Sequence, residues 1–581
     1  MSVYNKIVAR AFTRIARLLQ IRGDDPFKIR AYQRAADTLR HWPEDVRVAW
    51  QAGRLTRIPH IGAALAKKID ELLRTGRLTY LERLEQEVPP TLAELLDLPG
   101  LGPTRVRALW KQLGITSPAE LQAALEAGRV RGIRGLGPRT QQRLRAVLRA
   151  PATRAVRLDA ALGLARALVG LLLQQEPVRR AAAAGAVRRW EDLTERVVVL
   201  AAADALPPPL LGRDELLVRS LHSAEENGWT QVWHVATPLD WPVHVYWTRP
   251  QVWGAAWLAA TGPKTHWEAL QARASRRNLR LTPFGLHTTQ GRALPADDEA
   301  RVYAALGLPW IPPCARGWPL PLDAPDVWER ALADLVPWDV PRVAELHAHT
   351  SWSDGRLDVR ALAQEALARG IRVLAITDHS PSLKVAGGLS VEELRRQRED
   401  IRAAQADLGS GLRLLHGAEV DILPDGRLDY PDDVLAELDV VIASPHQALD
   451  QPPQEATARL LRAMANPRVH ILGHPTGRLL PRRPGLAPDM ARLAQAAARH
   501  HVVLEINANP RRLDLRAAHA RMALDAGAWL SIHTDAHRGA ELDYWPYGLA
   551  VARRAGARAA RILNVQEPAA LLARLAQKRR P

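Results

Sequence analysis

VAELHAHTSWSDG, residues 343–355, is the stretch on which the reading of the fold turns. His347 and His349 stand one residue apart at its centre, and Asp354 follows beside a glycine. Six more residues of the same chemical kind come later: His379 in VLAITDH (373–379), Glu419 in HGAEVD (416–421), His446 in VVIASPH (440–446), His474 in VHILGHP (469–475), and Asp535 and His537 in WLSIHTDAH (529–537). Neutral imidazoles and carboxylates are donors suited to zinc, manganese and iron. Six histidines and three carboxylates can serve more than one ion. Most of them end a short apolar run, and a ligand at the carboxyl end of each of several strands is how a barrel enzyme assembles its site. Ala/Arg-rich helical stretches such as VRALAQEALARG (359–370) and MARLAQAAARHH (490–501) separate those runs. The alternation predicts βα units and a mainly parallel barrel. Taken singly, each histidine reads better as a core or surface residue; the ordered set at strand ends does not.

Bulk properties frame that site. At 581 residues the chain is too long for one core, and three or four domains are expected. The formal net charge of +18 points to a polyanionic partner. Nearly all the basic charge is arginine, which a GC-rich or heat-adapted source would also produce, so charge alone does not establish nucleic-acid binding. One cysteine, Cys314, excludes an intramolecular disulfide and fits a reducing compartment. The start MSVYNKIVARAF has no signal-peptide pattern, and a cytoplasmic location is expected. The longest apolar stretch, ALGLARALVGLLL at 161–173, is short and carries Arg166; it reads as a buried helix, and no membrane association is expected.

The first 150 residues indicate which polyanion. IPHIGAALAKKIDELL from Ile58, LPGLGPTRVRALW from Leu98 and IRGLGPRTQQRLRAVL from Ile133 repeat one pattern. Each is an apolar residue, a tight glycine-bearing turn, then an amphipathic helix. Glycine permits positive φ and close approach of another backbone. The amides that open a helix have no partner inside it and attract an anion. These are helix-hairpin-helix signatures, which grip the DNA backbone without reading bases. The candidate DNA-binding residues are Gly62, Gly100, Gly102, Gly135 and Gly137 of the turns, with Arg105 and Arg139 of the helices that follow.

Over about 342–575 the metal-ligand motifs resemble the polymerase-and-histidinol-phosphatase (PHP) family, with all nine ligands present in order. The resemblance implies a distorted (β/α) barrel holding up to three ions, Mn²⁺ or alternatively Zn²⁺ or Fe²⁺. It assigns His347, His349, Glu419 and Asp535 to the first metal and to catalysis. Glu419 would bridge to a second metal on His446 and His474, and Asp354, His379 and His537 would hold a third. Asp378 is expected behind the ligands, as an acceptor orienting a ring. Near the start, DDPFKIRAYQRAADTLRHWP (24–43) with the first hairpin is similar to the lyase domain of family X DNA polymerases, whose bacterial members end in a PHP domain. In lyase-competent members a lysine here attacks an abasic sugar, and Lys68 matches that position. Such a lysine needs a lowered pKa, and a solvated DNA-contacting lysine is the competing reading.

The middle of the chain departs from that family. TGPKTHWEALQARA (261–274), TPFGLH (282–287) and LGLPWIPPCARG (306–317) resemble its palm and thumb. GAVRRWEDLTERVVVL from Gly185 keeps Arg188 and Arg189, but the two palm aspartates fall on Arg196 and Val198. In WPVHVYW the third falls on Pro242. None of the three binds magnesium, so no Mg²⁺ is expected in the palm and polymerase activity is expected to be lost. Asp192 and Glu195 lie nearby but out of register. The Trp-rich segment 229–257 reads as core filling ahead of base stacking. Arg511 and Arg512 in NANPRRLD (507–514) are candidates for binding phosphate, with surface salt bridging the alternative.

The expected organisation is multidomain α+β and α/β. A lyase-like helical domain with the first hairpin spans 1–80, and a fingers-like helix-hairpin-helix domain 81–150. A degenerate nucleotidyltransferase-like palm and thumb span 151–320, a Pro-rich linker 321–341, and the PHP phosphoesterase domain 342–581. The expected function is metal-dependent phosphoester hydrolysis at DNA ends in repair: a Mn²⁺-dependent 3'-5' exonuclease, with 3'-phosphatase or abasic-site cleavage as companions. Gapped or recessed DNA is the expected partner, and the protein is expected to be a monomer. The alternatives are an active gap-filling polymerase with proofreading, a small-molecule phosphatase, and a non-catalytic DNA-binding scaffold.

Overall fold

A computed structural model describes residues 2–98, 100–149, 155–205, 218, 220–226, 229–237 and 241–577. The chain divides into two compact units. One is built from Met1–Ala155, Leu162–Ala182 and Glu195–Trp247, the other from Val156–Ala161, Ala183–Thr194 and Thr248–Pro581. Among the described residues no helix is long and apolar enough to cross a membrane.

The first unit opens with α1 (Val3–Arg22), capped by the Ser2 side chain, which accepts from the Tyr4 amide. It ends at Gly23 with φ 93°, where Arg107 donates to the carbonyls of Ile21 and Gln20 at 2.6 and 2.8 Å. That guanidinium satisfies acceptors a helix end leaves over. Three further helices, α2 (Ala63–Thr75), α3 (Pro103–Leu113) and α4 (Pro138–Arg149), follow the three glycine turns. The unit also holds a five-stranded sheet of β1 (Val178–Ala184), β2 (Val197–Ala203), β3 (Ser220–Glu226), β4 (Trp229–Ala236) and β5 (Val243–Thr248), in the order β1-β2-β5-β4-β3. Trp233 and Trp247, across β4 and β5, are buried and meet edge to face at 4.5 Å. These tryptophans of the Trp-rich segment therefore fill the core; residues 238–240 of that segment lie outside the described ones.

The second unit carries a small antiparallel sheet (Leu279–Thr282, Gly285–Thr288, Ala293–Leu294) against helices Trp253–Thr261, Lys264–Arg276 and Glu299–Ala305. Arg188 has a structural task there: its guanidinium pairs bidentately with buried Glu299 at 2.6 and 2.9 Å, and Arg316 takes the same carboxylate at 2.8 Å. Burial would raise Glu299, but Arg316 and Arg188 outweigh it and hold the carboxyl at about 2.

Seven parallel strands form the rest: β6 (Ala344–Glu345), β7 (Val373–Ile376), β8 (Arg413–Asp421), β9 (Val440–Ser444), β10 (Ile471–Leu472), β11 (Val503–Asn507) and β12 (Leu530–His533), neighbours in chain order. A bridge from Ala348 to Ala536, with the His349 amide donating to the Ala536 carbonyl at 2.9 Å, brings the two edges together. Alternate residues of a strand share a face. On one such set, Val373, Ala375, Leu415, Val440, Ile442, Ile471 and Val503 pack with Leu563 and with Leu571 and Leu575 around α5 (Pro568–Gln577). Two, four or six residues further along those faces come Thr377 and His379, Glu419 and Asp421, Ser444, and Glu505 and Asn507. An apolar floor thus gives way to a polar layer at the carboxyl ends, as a barrel site requires.

Candidate metal centre

Glu419 is the hub of that polar layer. It is fully buried on β8, and five imidazoles surround its carboxylate. Oε1 lies 3.3 Å from His347 Nε2, 3.3 Å from His446 Nε2 and 2.8 Å from His474 Nε2. Oε2 lies 3.0 Å from His379 Nδ1 and 3.5 Å from His349 Nε2. Asp535 faces His349 Nε2 at 3.1 Å and His347 Nε2 at 3.7 Å. Asp354 faces His537 Nε2 at 3.2 Å and His379 Nε2 at 3.5 Å. All nine sequence-predicted ligands therefore converge, although they are spread from 347 to 537.

Their grouping differs in part from the one the resemblance implies. Ligand atoms cluster as His349, Asp354, His379 and His537; as His347, His349 and Glu419; as His379, Glu419 and His446; and as His347, His474 and Asp535. His379 thus faces Glu419 as well as Asp354, and His474 groups with His347 and Asp535. Asp378 also departs from expectation. Among the described residues it makes no hydrogen bond to an imidazole; it accepts from the Thr350 amide and hydroxyl at 2.9 and 2.6 Å, from Ser353 Oγ, and from Gln397 Nε2 at 2.6 Å. Its role is to fasten the turn that carries Asp354, and burial pushes its carboxyl up.

The acceptors that orient the rings are other carboxylates. Glu505 Oε1 takes His347 Nδ1 at 2.6 Å, and its Oε2 takes the His474 amide. Asp421 takes His446 Nδ1. In a neutral ring each such bond places the proton on Nδ1 and leaves the Nε2 lone pair aimed at Glu419. Lone pairs of two imidazoles and a buried carboxylate repel unless a cation lies between them. Both Glu419 oxygens, with His347 Nε2 and His446 Nε2, are buried and make no well-formed hydrogen bond among the described residues. That donor set fits divalent metal.

Signs of ionisation agree with this crowding. Burial alone would raise Glu419, but His347, His446 and His379 hold it well below the carboxylate range. Burial opposes the charged His446, yet Glu419 and Asp421 raise it to about 9. Burial, then His537 and His379, push His349 down to about 3. Backbone shape is specialised as well. Asp535 has φ 52°, a left-handed conformation that costs a non-glycine residue about 1 to 3 kcal/mol and persists where its surroundings impose it. At Gly473 a Cβ would lie 2.3 Å from Ser444 Oγ and 3.6 Å from Glu505 Oε2, so glycine leaves room beside the orienting carboxylate.

Arg512 joins the centre, its Nε 3.2 Å from Asp535 Oδ2, while Arg511 is exposed beside it. Glu505, Asp421 and Glu345, which accepts from the His347 amide at 3.1 Å and the Thr534 hydroxyl at 2.7 Å, escaped the sequence reading. The signal for them is parity: Glu345 precedes His347 by two residues, Asp421 follows Glu419 by two, and Glu505 sits between Val503 and Asn507 on one strand face.

In the first unit the three hairpin turns superpose in their bonding. The Ile61, Leu101 and Leu136 amides donate to the Ile58, Leu98 and Ile133 carbonyls, each at 3.1 Å. Gly100 and Gly135 take φ 81° and 84°; in the first turn His60 occupies that place with φ 63°. Gly62, Gly102 and Gly137 have no atom within 4 Å of an added Cβ, so the fold itself does not demand glycine there. Arg139 is exposed. Arg105 is folded back, donating to the Gly100 carbonyl at 2.5 Å. Lys68 Nζ lies 5.2 Å from the Tyr80 ring, and Lys28 5.0 Å from the same ring.

The three palm positions come together at the starts of neighbouring strands. The Val197 amide donates to the Pro242 carbonyl at 2.8 Å, with Arg196 and Val198 on either side of Val197. Arg196 Nη1 lies 3.5 Å from His244 Nδ1, and no carboxylate occupies any of the three positions. Asp192, in the second unit, is consumed by Arg478 and Arg554 at 2.7 and 2.6 Å.

Comparison with known proteins matches these parts one by one. Residues 3–78 match a helix-hairpin-helix domain, 92–150 a SAM-like helix-hairpin-helix tandem, 256–317 a DNA polymerase beta thumb and 345–509 a PHP domain. A Bacillus subtilis (strain 168) protein named DNA polymerase/3'-5' exonuclease PolX is 33% identical over 575 residues, covering 97% of this chain and 98% of that protein. A probable phosphatase of Thermoanaerobacter sp. (strain X514) is 28% identical over 234 residues, 38% of this chain and 90% of its own. One of Shewanella sediminis is 30% identical over 253 residues, 41% of this chain and 94% of its own. Similarity along nearly the whole length, with hairpins, thumb and metal-ligand barrel in one order, has one explanation: the chain belongs to the bacterial-type family X DNA polymerases that carry a C-terminal PHP domain.

Proposed function

We propose that the chain is a metal-dependent phosphoesterase acting on DNA 3' ends, a 3'-5' exonuclease of DNA repair whose polymerase module is silent. The convergence of nine ligands, five of them imidazoles facing buried Glu419, carries the reading. His347, His349, Glu419 and Asp535 would hold the first ion, His446 and His474 with Glu419 a second, and Asp354, His379 and His537 a third, Mn²⁺ being the preferred metal. Bound divalent ions supply a hydroxide near neutral pH and neutralise charge on the phosphate. Glu505 and Asp421 hold His347 and His446 with their Nε2 atoms forward, so the ligand lone pairs need no reorganisation. Arg512, paired with Asp535 beside the centre, would meet a phosphate oxygen through its second edge. Gly62, Gly100, Gly102, Gly135 and Gly137, with Arg139, would hold the DNA backbone at the hairpin turns. Lys68 is assigned to the same contact surface and not to lyase chemistry.

Arg196, Val198 and Pro242 support silence of the polymerase module, because a cation, an apolar side chain and an imide provide no oxygen for magnesium. The second reading, an active gap-filling polymerase, draws on the name of the Bacillus subtilis relative. A gel assay on 5'-labelled recessed and gapped DNA with Mn²⁺, with and without dNTPs, decides between them. Shortening from the 3' end that is unaltered by dNTPs and lost in His347→Ala/His349→Ala supports the proposal. Templated extension, abolished by Asp192→Asn or Glu195→Gln, overturns the silent-polymerase half. Tight DNA binding without turnover of any end would make the chain a scaffold.

A further inference from the structure

Three segments meet beside the metal centre, and each brings arginine. The first is the short strand Val156–Arg157, paired antiparallel with Leu193–Thr194. The second is the turn after His474, where Leu479 and Arg483 exchange backbone hydrogen bonds at 2.8 and 2.7 Å and leave Arg482 exposed at the tip. The third is the turn after β11 that carries Arg511 and Arg512. The Leu480 amide donates to the Arg511 carbonyl at 2.7 Å, fastening the second segment to the third. Arg478 ties all three: it donates to the Leu513 carbonyl and to Asp192 Oδ2, and the Asp192 carbonyl accepts from the Leu158 amide at 3.2 Å.

Arginines dominate the side chains of these segments, and several are paired with acids. Arg157 is balanced by Asp159 at 3.0 Å and Arg512 by Asp535. Asp192 is already taken by Arg478 and Arg554, and Asp514 accepts from the Thr476 amide and hydroxyl. Arg482 and Arg511 are exposed on this surface, and Arg483 Nε donates to the Gly477 carbonyl at 3.0 Å. Burial, then Arg157, Arg512 and Arg482, lower Arg511; burial, then Arg512, lower Arg483, with Asp514 opposing. An arginine-rich surface of this kind attracts an anion. Planar guanidinium forks match phosphate oxygens and read no base.

We propose that Arg157, Arg482, Arg483, Arg511 and Arg512 form a cradle for the backbone phosphates of a DNA strand, next to the phosphate held at the metal centre. The assignment rests on the DNA 3'-end reading above and extends it: the strand leaves the metal centre across the turns at 477–485 and 509–514. Arg157 matters particularly, since it comes from outside the barrel sequence and gives this chain a phosphate contact that a barrel alone lacks.

The test uses the full-length protein in EDTA and a short single-stranded oligothymidylate with photoreactive 4-thiothymidine near its 3' end. Crosslinks should map to peptides containing residues 478–485 and 510–516 and fall roughly tenfold in Arg482→Ala/Arg483→Ala. With Mn²⁺ the same variant should show a raised KM for the oligonucleotide, its salt dependence reduced by roughly one to two contacts, and unchanged turnover of p-nitrophenyl phosphate. Crosslinks confined to the hairpin turns, or undiminished in the variant, overturn the cradle. A parallel fall on both substrates also overturns it, since the metal centre itself would then be damaged. Should the parent hydrolyse neither substrate, the nuclease reading fails, and the crosslink map alone decides the cradle.

Discussion

Glu505 Oε1 lies 2.6 Å from His347 Nδ1 at the bottom of the ligand layer, and the opposite carboxylate oxygen holds the His474 amide. One residue of β11 therefore fixes a ligand ring and the turn bearing another. Neither atom it holds is a ligand atom, so its removal should weaken metal binding without dismantling the site.

Glu505→Gln keeps the shape and loses the strong acceptor. Metal affinity should drop about 10- to 100-fold, the usual loss for an orienting partner. Calorimetric titration with Mn²⁺ measures it; affinity equal to the parent would show that His347 is oriented by something else.

Glu419→Gln should be far more severe. The carboxylate faces five imidazoles, and a neutral amide can neither balance bound cations nor offer two equivalent oxygens. Phosphoesterase turnover should fall on the order of a thousandfold or more. Metal content per chain should fall with it, which elemental analysis of the dialysed protein reads directly.

Gly102→Leu separates binding from folding. A Cβ added there has nothing within 4 Å beyond its chain neighbours, so thermal stability should stay within about 1 kcal/mol of the parent. A phosphodiester approaching the α3 amides would meet it, and duplex affinity should drop roughly tenfold by fluorescence anisotropy, a loss of about 1.4 kcal/mol. Unchanged affinity would remove this turn from the DNA contact.

Glu299→Gln probes the buried pair with Arg188 and Arg316. The folded carboxyl sits at about 2 against an ordinary 4.5, a depression of about 2.5 units. A depressed acid adds stability above its unfolded pKa and loses it as pH falls toward the folded one. The ionised group should contribute about 3 kcal/mol at pH 7, fading between about pH 4.5 and 2. Urea midpoints by tryptophan fluorescence should show parent and variant far apart at neutral pH and converging in acid. Trp310, whose Nε1 donates to Glu299 at 3.1 Å, is a local reporter.

Much of this was legible in the chain by itself. The nine ligands are distinctive residue types at strand ends, and strand ends of a parallel barrel are bound to meet; local pattern therefore carries the global site. The hairpin turns were legible for a similar reason, because a tight turn followed by a helix start is a local structure. Glu505, Asp421 and the true partners of Asp378 were not. Whether a carboxylate in VLEIN or HGAEVD faces a ligand ring, a loop amide or solvent depends on strand register and on which neighbour lies across the barrel. The same holds for Arg105, Arg188 and Asp192, ordinary charges in sequence whose partners lie at 100, 299 and 478. The arginines at 157, 482 and 511 became one surface only because three distant segments are tied by hydrogen bonds. Residue type and spacing set the chemistry available to this protein, and the long-range packing of strands and turns decided which charges stand together.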